Sequence, residues 1–326
     1  MRQQLILTLT RACNLRCSYC PTAKDGWPSL QTADVREAIR IFSDEWGGGS
    51  IKLFGGEPLL EPKLVEEALK LAHEKQNIDW IYLSTNGLPL TKDRIRSLVP
   101  WKKLILTLSV DGTEKDHQRM RRSLEGVPNS YRHILSVKEE LLRVPRLVVT
   151  QTIAPATASH AYENFRHLYS MGFRRFNFLP GYYIPWREHQ LRELEIGFQS
   201  IEKEIRLLWK RGEYLYVRNL FVQAPTPFFN TGLIVDSDRS IHASNLGLSS
   251  KLDSLREQTK LGDLDNPPTK QAVIKKAEEI NSILASSLPP NVWSSTQKVD
   301  AGLTQFCTQL WPHFLRYRKK KKDRSA

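Results

Sequence analysis

Three of the chain's four cysteines, Cys13, Cys17 and Cys20, fall inside one stretch, TRACNLRCSYCP, with the spacing C-x3-C-x2-C. Thiolates this close on a single loop can reach three corners of an iron–sulfur cube, because such clusters are held by cysteine sulfur. One iron is then left without a protein ligand, and an open coordination position is what a catalytic metal site keeps. A zinc site is the competing reading, with the three thiolates joined by a distant fourth ligand, Cys307 or a histidine. The chain is expected to be cytoplasmic, a compartment that keeps thiols reduced, so a tight cysteine cluster points to a metal or redox site rather than a disulfide framework.

Other residues able to do chemistry stand at intervals along the first half. LFGGEP carries Gly55, Gly56 and Glu57. Two glycines let a ligand approach bare backbone, and Glu57 or nearby carbonyls can accept from an ammonium group. STNG holds Thr85 and Asn86, SVDG holds Ser109 and Asp111, and HQRMR ends in Arg121, whose guanidinium suits a carboxylate.

The elements that must position these residues alternate. LILTLT, SIKLF, WIYLS, KLILTLSV, RLVVTQTI and RFNFL read as strands. Between them, helices are expected over Thr32–Trp46, 61–75, Thr91–Leu98, Tyr131–Leu142 and Ala161–Met171. Such alternation implies parallel strands joined by crossover helices, with the chemistry at the carboxyl ends of the strands. Each candidate residue follows a strand. Beyond Pro180 the rhythm breaks into a helix over Gln190–Trp209, a hairpin around Asp236–Arg239, a linker at LDNPPTK, a helix over Lys270–Ala285 and a loop at SSLPPNVWSS.

The cysteine spacing, with Tyr19 between the second and third thiols, resembles the radical S-adenosylmethionine superfamily, and GGEP, STNG, SVDG and the Arg121 segment follow in that family's order. The resemblance covers residues 4 to 180. It implies an α/β fold, a partial (β/α)6 barrel with a smaller C-terminal α+β extension, and an enzyme with one 4Fe–4S cluster on Cys13, Cys17 and Cys20. The open iron would chelate S-adenosylmethionine, whose reductive cleavage gives a 5'-deoxyadenosyl radical that abstracts a substrate hydrogen. An external electron donor such as flavodoxin or ferredoxin is implied. Cofactor contacts are implied for Tyr19, Gly55, Gly56, Glu57, Thr85, Asn86, Ser109, Asp111, Arg121, Gln151 and Leu179. Gln118 stands where the family's H-D-x-x-R segment has aspartate. No residue of the chain is singled out for the step on the substrate.

GTEKDH and NFLPGYY look most like the subgroup whose SPASM or twitch extension binds auxiliary clusters and whose members often modify ribosomally made peptides. Ser244 occupies the place of that extension's first auxiliary cysteine, and only Cys307 lies outside the first cluster. The expectation is a degenerate extension without auxiliary clusters, the domains running 1–180, 181–315 and a basic disordered tail, 316–326. Without an auxiliary electron acceptor, epimerisation or rearrangement gains over oxidation, although crosslinking remains open. Cys307 is either a hydrogen donor or a core residue on the apolar face of Leu303, Phe306 and Leu310. The aromatics of PGYYIPW and PTPFFN either line a substrate pocket or fill core.

Net charge is +13, of which RYRKKKKDRSA contributes +6, with seven basic residues and one acid. The tail is expected to be solvated, so nucleic acid is not expected as a partner. No apolar run is long enough to span a bilayer, and the first residues do not read as a signal peptide. Peptide modification is the leading reading. The alternatives are a small-molecule natural-product enzyme of the same chemistry and a non-catalytic metal-binding regulator with a nucleic-acid-binding tail.

Overall fold

The structure, a computed structural model, describes residues 3–221, 232–245 and 253–323. It divides into two compact units, one of Met1–Leu108, Arg121–Leu147 and Phe228–Ser287, the other of Ser109–Met120, Val148–Pro227 and Leu288–Ala326. These do not follow the expected boundaries at 180 and 315, because chain-distant segments pair.

In the first unit β1 (Gln4–Thr10) leads into the cysteine loop, which contains the short strand β2 (Leu15–Cys17). Then come α1 (Thr32–Arg40), continued by a π-helical turn over Ile41–Glu45, β3 (Gly49–Gly55), α2 (Pro62–Glu74), β4 (Ile78–Thr85), α3 (Lys92–Leu98) and β5 (Leu104–Ser109). The strands β1, β3, β4 and β5 pair in parallel in that order. In β1 every residue after Gln4 is buried, as expected of a parallel strand covered on both faces. The α2 helix buries Leu64, Val65, Ala68, Leu69 and Ala72, the i, i+1, i+4 stripe of an amphipathic helix.

After α4 (Glu114–Met120), a helix of the second unit, the strand β6 (Arg121–Ser123) pairs antiparallel with β2 and sets Cys17 opposite Arg121. Local patterning gives no sign of this two-stranded sheet. The helix expected over Tyr131–Leu142 is broken at Val137 into α5 (Ser130–Ser136) and α6 (Lys138–Leu142).

The second unit holds β7 (Leu147–Ile153), α7 (Ala161–Ser170), β8 (Arg175–Pro180), α8 (Glu188–Lys210) and β9 (Tyr216–Val217). The strands β7, β8 and β9 are parallel neighbours in that order. Back in the first unit, β10 (Leu233–Val235) and β11 (Ser240–His242) form the expected hairpin. β10 lies parallel to β1, Leu5 opposite Leu233, which ties the hairpin to the strand that feeds the cysteine loop. The helix α9 (Asp253–Thr259), β12 (Lys260–Asp263) and α10 (Lys270–Ser287) complete that unit, and α11 (Pro290–Asp323) belongs to the second.

Two expectations are corrected by α11. SSLPPNVWSS is a loop only at Leu288 and Pro289, because Pro290 occupies the first helical turn, where its missing N–H costs nothing. The tail is helical to Asp323, not disordered from residue 316: buried Tyr317 stacks on Trp209 at 5.8 Å between centroids, continuing the stripe of Phe306, Leu310 and Phe314. PTPFFN lies outside the described residues. In PGYYIPW, Tyr182 donates to Asp300 (3.1 Å) and the Trp186 amide to Ser295 Oγ (3.0 Å), so this segment is fastened to α11.

Candidate active site

The three thiols form no disulfide and are half-buried. Cys13 Sγ accepts from Leu15 N (3.4 Å) and from Asn86 Nδ2 (3.8 Å), and Arg121 Nη1 donates to Cys17 Sγ (3.9 Å). The Cys20 amide donates to Cys17 O at 3.1 Å, closing a turn between these two ligands. Arg121 lies over the ring of Tyr19, 5.3 Å from its centroid. N–H donors aimed at sulfur suit thiolate ligands, whose negative charge they offset. Burial raises the Cys13 thiol, so the sulfur does not ionise readily on its own. Among the described residues no three His, Cys, Asp or Glu side chains gather around one metal ion. A cube does not need that convergence, since each thiolate takes its own iron.

The glycine pair serves the cysteine loop. A Cβ at Gly55 would lie 2.1 Å from Thr10 O, and one at Gly56 2.1 Å from Ala12 O and 2.3 Å from Arg11 O. Gly56 N donates to Thr10 O (2.9 Å) and Glu57 N to Ala12 O (2.8 Å). The backbone that approaches these glycines is the chain's own. Glu57 is 1% exposed and its oxygens accept from Leu59 N (3.1 Å) and Asn86 N (2.7 Å). Its carboxylate thus already accepts from two backbone amides, a role that a contact with an ammonium would have to share. Burial pushes its pKa up to about 7, against the pull of those two amides.

Asn86 is likewise committed to the loop: Nδ2 donates to Asn14 Oδ1 (2.7 Å) as well as to Cys13, and Oδ1 accepts from Leu88 N (3.0 Å). Thr85 Oγ1 accepts from Gly87 N (3.0 Å). The first unit therefore gathers Cys13, Cys17, Tyr19, Gly55, Gly56, Glu57, Asn86 and Arg121 around one loop. Sequence reasoning missed Asn14, which no spacing marks, and Arg11, whose charge between a buried strand and Cys13 was a signal.

Ser109, Asp111, Gln151 and Leu179 belong to the second unit. Asp111 is 1% exposed and accepts from Thr152 N (3.1 Å), an internal role that a cofactor contact would have to share. Gln151 Nε2 donates to Ala161 O (2.9 Å), while its Oε1 is a buried acceptor with no protein partner. That orphaned oxygen fits a residue awaiting a donor from a ligand. Leu179 and Ser109 are half-buried. Cys307 is half-buried on α11, its thiol pushed up to about 12 by burial and by the charge of Asp300, so it stays protonated.

The profile of the Radical SAM superfamily matches residues 7–181. The chain belongs to the Radical SAM superfamily. The cofactors of a radical SAM enzyme are a 4Fe–4S cluster and S-adenosylmethionine, which removes the zinc reading and the non-catalytic regulator. GTP 3',8-cyclase of Chlorobaculum tepidum is 33% identical over 112 residues, 34% of this chain and 33% of that protein. Molybdenum cofactor biosynthesis protein 1 of Mus musculus is 37% identical over 94 residues, 27% of this chain and 14% of that protein. The radical SAM chain thus spans a third or less of these two relatives. Among solved structures, anSMEcpe with bound AdoMet and a peptide superposes with a TM-score of 0.73 at 15% identity, covering 98% of each chain. SuiB of Streptococcus suis bound to precursor peptide SuiA gives 0.60 at 16% identity, covering 82% of this chain and 63% of that one. These likenesses show the fold, the α/β partial barrel of radical SAM enzymes. Among the described residues no helix is long and apolar enough to cross a membrane.

Proposed function

We propose that Cys13, Cys17 and Cys20 hold the cluster and that this radical SAM enzyme modifies a peptide. The observation that carries the cluster assignment is the set of N–H groups of Leu15, Asn86 and Arg121 directed at the sulfurs of Cys13 and Cys17. When bound, the cluster and S-adenosylmethionine supply one electron and a 5'-deoxyadenosyl radical that removes a substrate hydrogen. The chain's own residues do the holding: Gly55, Gly56, Glu57 and Asn86 fix the cysteine loop from beneath. Arg121, stacked on Tyr19 beside Cys17, offers its guanidinium to the carboxylate of S-adenosylmethionine. Gln151, in the second unit, offers its buried acceptor to a ligand's hydroxyl or amino group. A low-potential one-electron donor such as flavodoxin or ferredoxin is the partner this chemistry requires.

The peptide reading is supported by likeness over nearly the whole chain to an enzyme whose structure holds a peptide. Residues 181–315 act as a degenerate SPASM-like extension: buried Ser244 stands at the end of the hairpin where an auxiliary cysteine would be, and Cys307 is the extension's one thiol. A nucleotide substrate is the second reading, favoured by the GTP 3',8-cyclases among the sequence relatives. The two separate in one assay. Reconstituted protein with S-adenosylmethionine and dithionite is given GTP, and 5'-deoxyadenosine is counted against the uncoupled background. No rise with GTP supports the peptide reading, whereas a substrate-dependent burst with transfer of a GTP hydrogen overturns it.

A further inference from the structure

A buried charge network joins the cysteine loop to the C-terminal hairpin. Arg11, 0% exposed, donates through Nε to Asp236 Oδ1 (3.1 Å) and through Nη2 to Asp236 Oδ2. Arg256 of α9 donates through Nη1 to the same Oδ2 (2.6 Å), and through Nη2 to Asp238 Oδ2 and to Ser240 Oγ (2.8 Å). Ser240 Oγ in turn meets His242 Nε2 at 2.8 Å, and His242 Nδ1 meets Thr259 Oγ1 at 3.1 Å. At the other end of the cysteine segment, the ring of Trp27 lies 3.5 Å from Arg11 Cζ and 4.7 Å from Arg256 Cζ. The residues that bracket the three thiols are therefore tied together: Trp27 lies against Arg11 and Arg256, and Asp236 and Asp238 balance the two arginines.

The network costs the protein the desolvation of four charges. Its effect falls on the segment between Arg11 and Trp27. We propose that Asp236, Asp238 and Arg256 are positioning residues for the first cluster, so that the extension, lacking auxiliary-cluster cysteines, instead holds the cysteine loop in its iron-binding form. The proposal rests on Cys13, Cys17 and Cys20 being the cluster ligands. The hairpin has other anchors: β10 pairs with β1, and Arg239 donates to Asp34 Oδ1 (2.9 Å) and to both oxygens of Asp265 (2.8 and 2.6 Å). Cutting the network at Asp236 thus leaves the hairpin docked.

The test compares Asp236→Asn and Arg239→Ala with the wild type after anaerobic reconstitution with ferrous iron and sulfide. Iron release to a chelator should accelerate in Asp236→Asn on the order of tenfold or more, the size of one lost charge-assisted bond. The electron paramagnetic resonance signal of its reduced cluster should shift or broaden, and trypsin should cut the apo loop faster at Arg16 and Lys24. Arg239→Ala should keep wild-type release and signal, since it removes only the bonds to Asp34 and Asp265 and leaves Asp236 and Asp238 paired with Arg11 and Arg256. Wild-type release and signal in Asp236→Asn, with iron lost in Cys13→Ala, overturns the proposal. Iron retained in Cys13→Ala would instead overturn the cluster assignment. If Asp236→Asn does not fold, Asp238→Asn reads the same network from its more exposed end, and wild-type behaviour there overturns it equally.

Discussion

Gly56→Ala tests whether the root of the cysteine loop lies against the end of β3. The added Cβ would stand 2.1 Å from Ala12 O and 2.3 Å from Arg11 O. Both obstacles are backbone carbonyls, so neither can swing aside as a side-chain tip could. Relief requires moving the loop, which sacrifices the bonds from Gly56 N to Thr10 O (2.9 Å) and from Glu57 N to Ala12 O (2.8 Å). At about 1 kcal/mol per bond, and about 1–3 kcal/mol for overpacking, the substitution should cost about 3–5 kcal/mol. Gly302→Ala is the control: it sits within α11 with nothing within 4 Å of the new Cβ. There the gain in helix propensity should stabilise by about 0.5–1 kcal/mol. Urea unfolding of the apo proteins gives both numbers, and iron per chain after reconstitution should fall for Gly56→Ala alone. If Gly56→Ala unfolds with the wild type and loads a full cluster, the loop does not rest on this glycine and the account of GGEP fails.

Arg121→Ala should weaken S-adenosylmethionine binding on the order of tenfold or more while three thiolate ligands remain; unchanged affinity in titration calorimetry would remove Arg121 from the cofactor's site. His242 is held to about 4, below its usual 6.5, by burial first and then by Arg256. The unfolded chain takes up this proton near its ordinary pKa and the folded chain does so much later. Stability from the neutral ring is therefore full above 6.5 and is lost as pH falls to 4, by about 3 kcal/mol in all. Urea unfolding of wild type and His242→Gln near pH 7.5 and near pH 4.5 should show the gap between them shrinking by most of that amount. Tyr317→Ala, which removes the stack on Trp209, should destabilise by about 3 kcal/mol, whereas ending the chain after Tyr317 should change neither the unfolding midpoint nor the iron content. Equal midpoints for the full-length protein and Tyr317→Ala would return this stretch to solvent.

The six parallel strands were legible in the chain because their signal is local. Runs such as LVVTQTI and LILTLS fall between helical stretches, and the structure reproduces them within a residue or two. The spacing of the three cysteines is equally local: eight consecutive positions fix how far apart the thiols can be. What the strand-end residues bond to inside the protein was not legible. GGEP and STNG read as surfaces offered to a ligand, and nothing in them shows that the Gly56 and Glu57 amides and the Asn86 side chain also bond the chain's own cysteine loop. Asn86 and Asn14 are 72 positions apart, and Arg11 and Asp236 are 225 apart. Such partners become neighbours only when β1 lies between β3 and β10, and a strand's sequence does not say which strands will flank it. Tyr317 shows the same limit at the other end: it extends the spacing of Phe306, Leu310 and Phe314 into a run of basic residues, and only the presence of Trp209 beside it makes that position part of the packed face. Spacing along the chain thus determined which atoms could bind a cluster, and the pairing of distant strands decided which residues hold them in place.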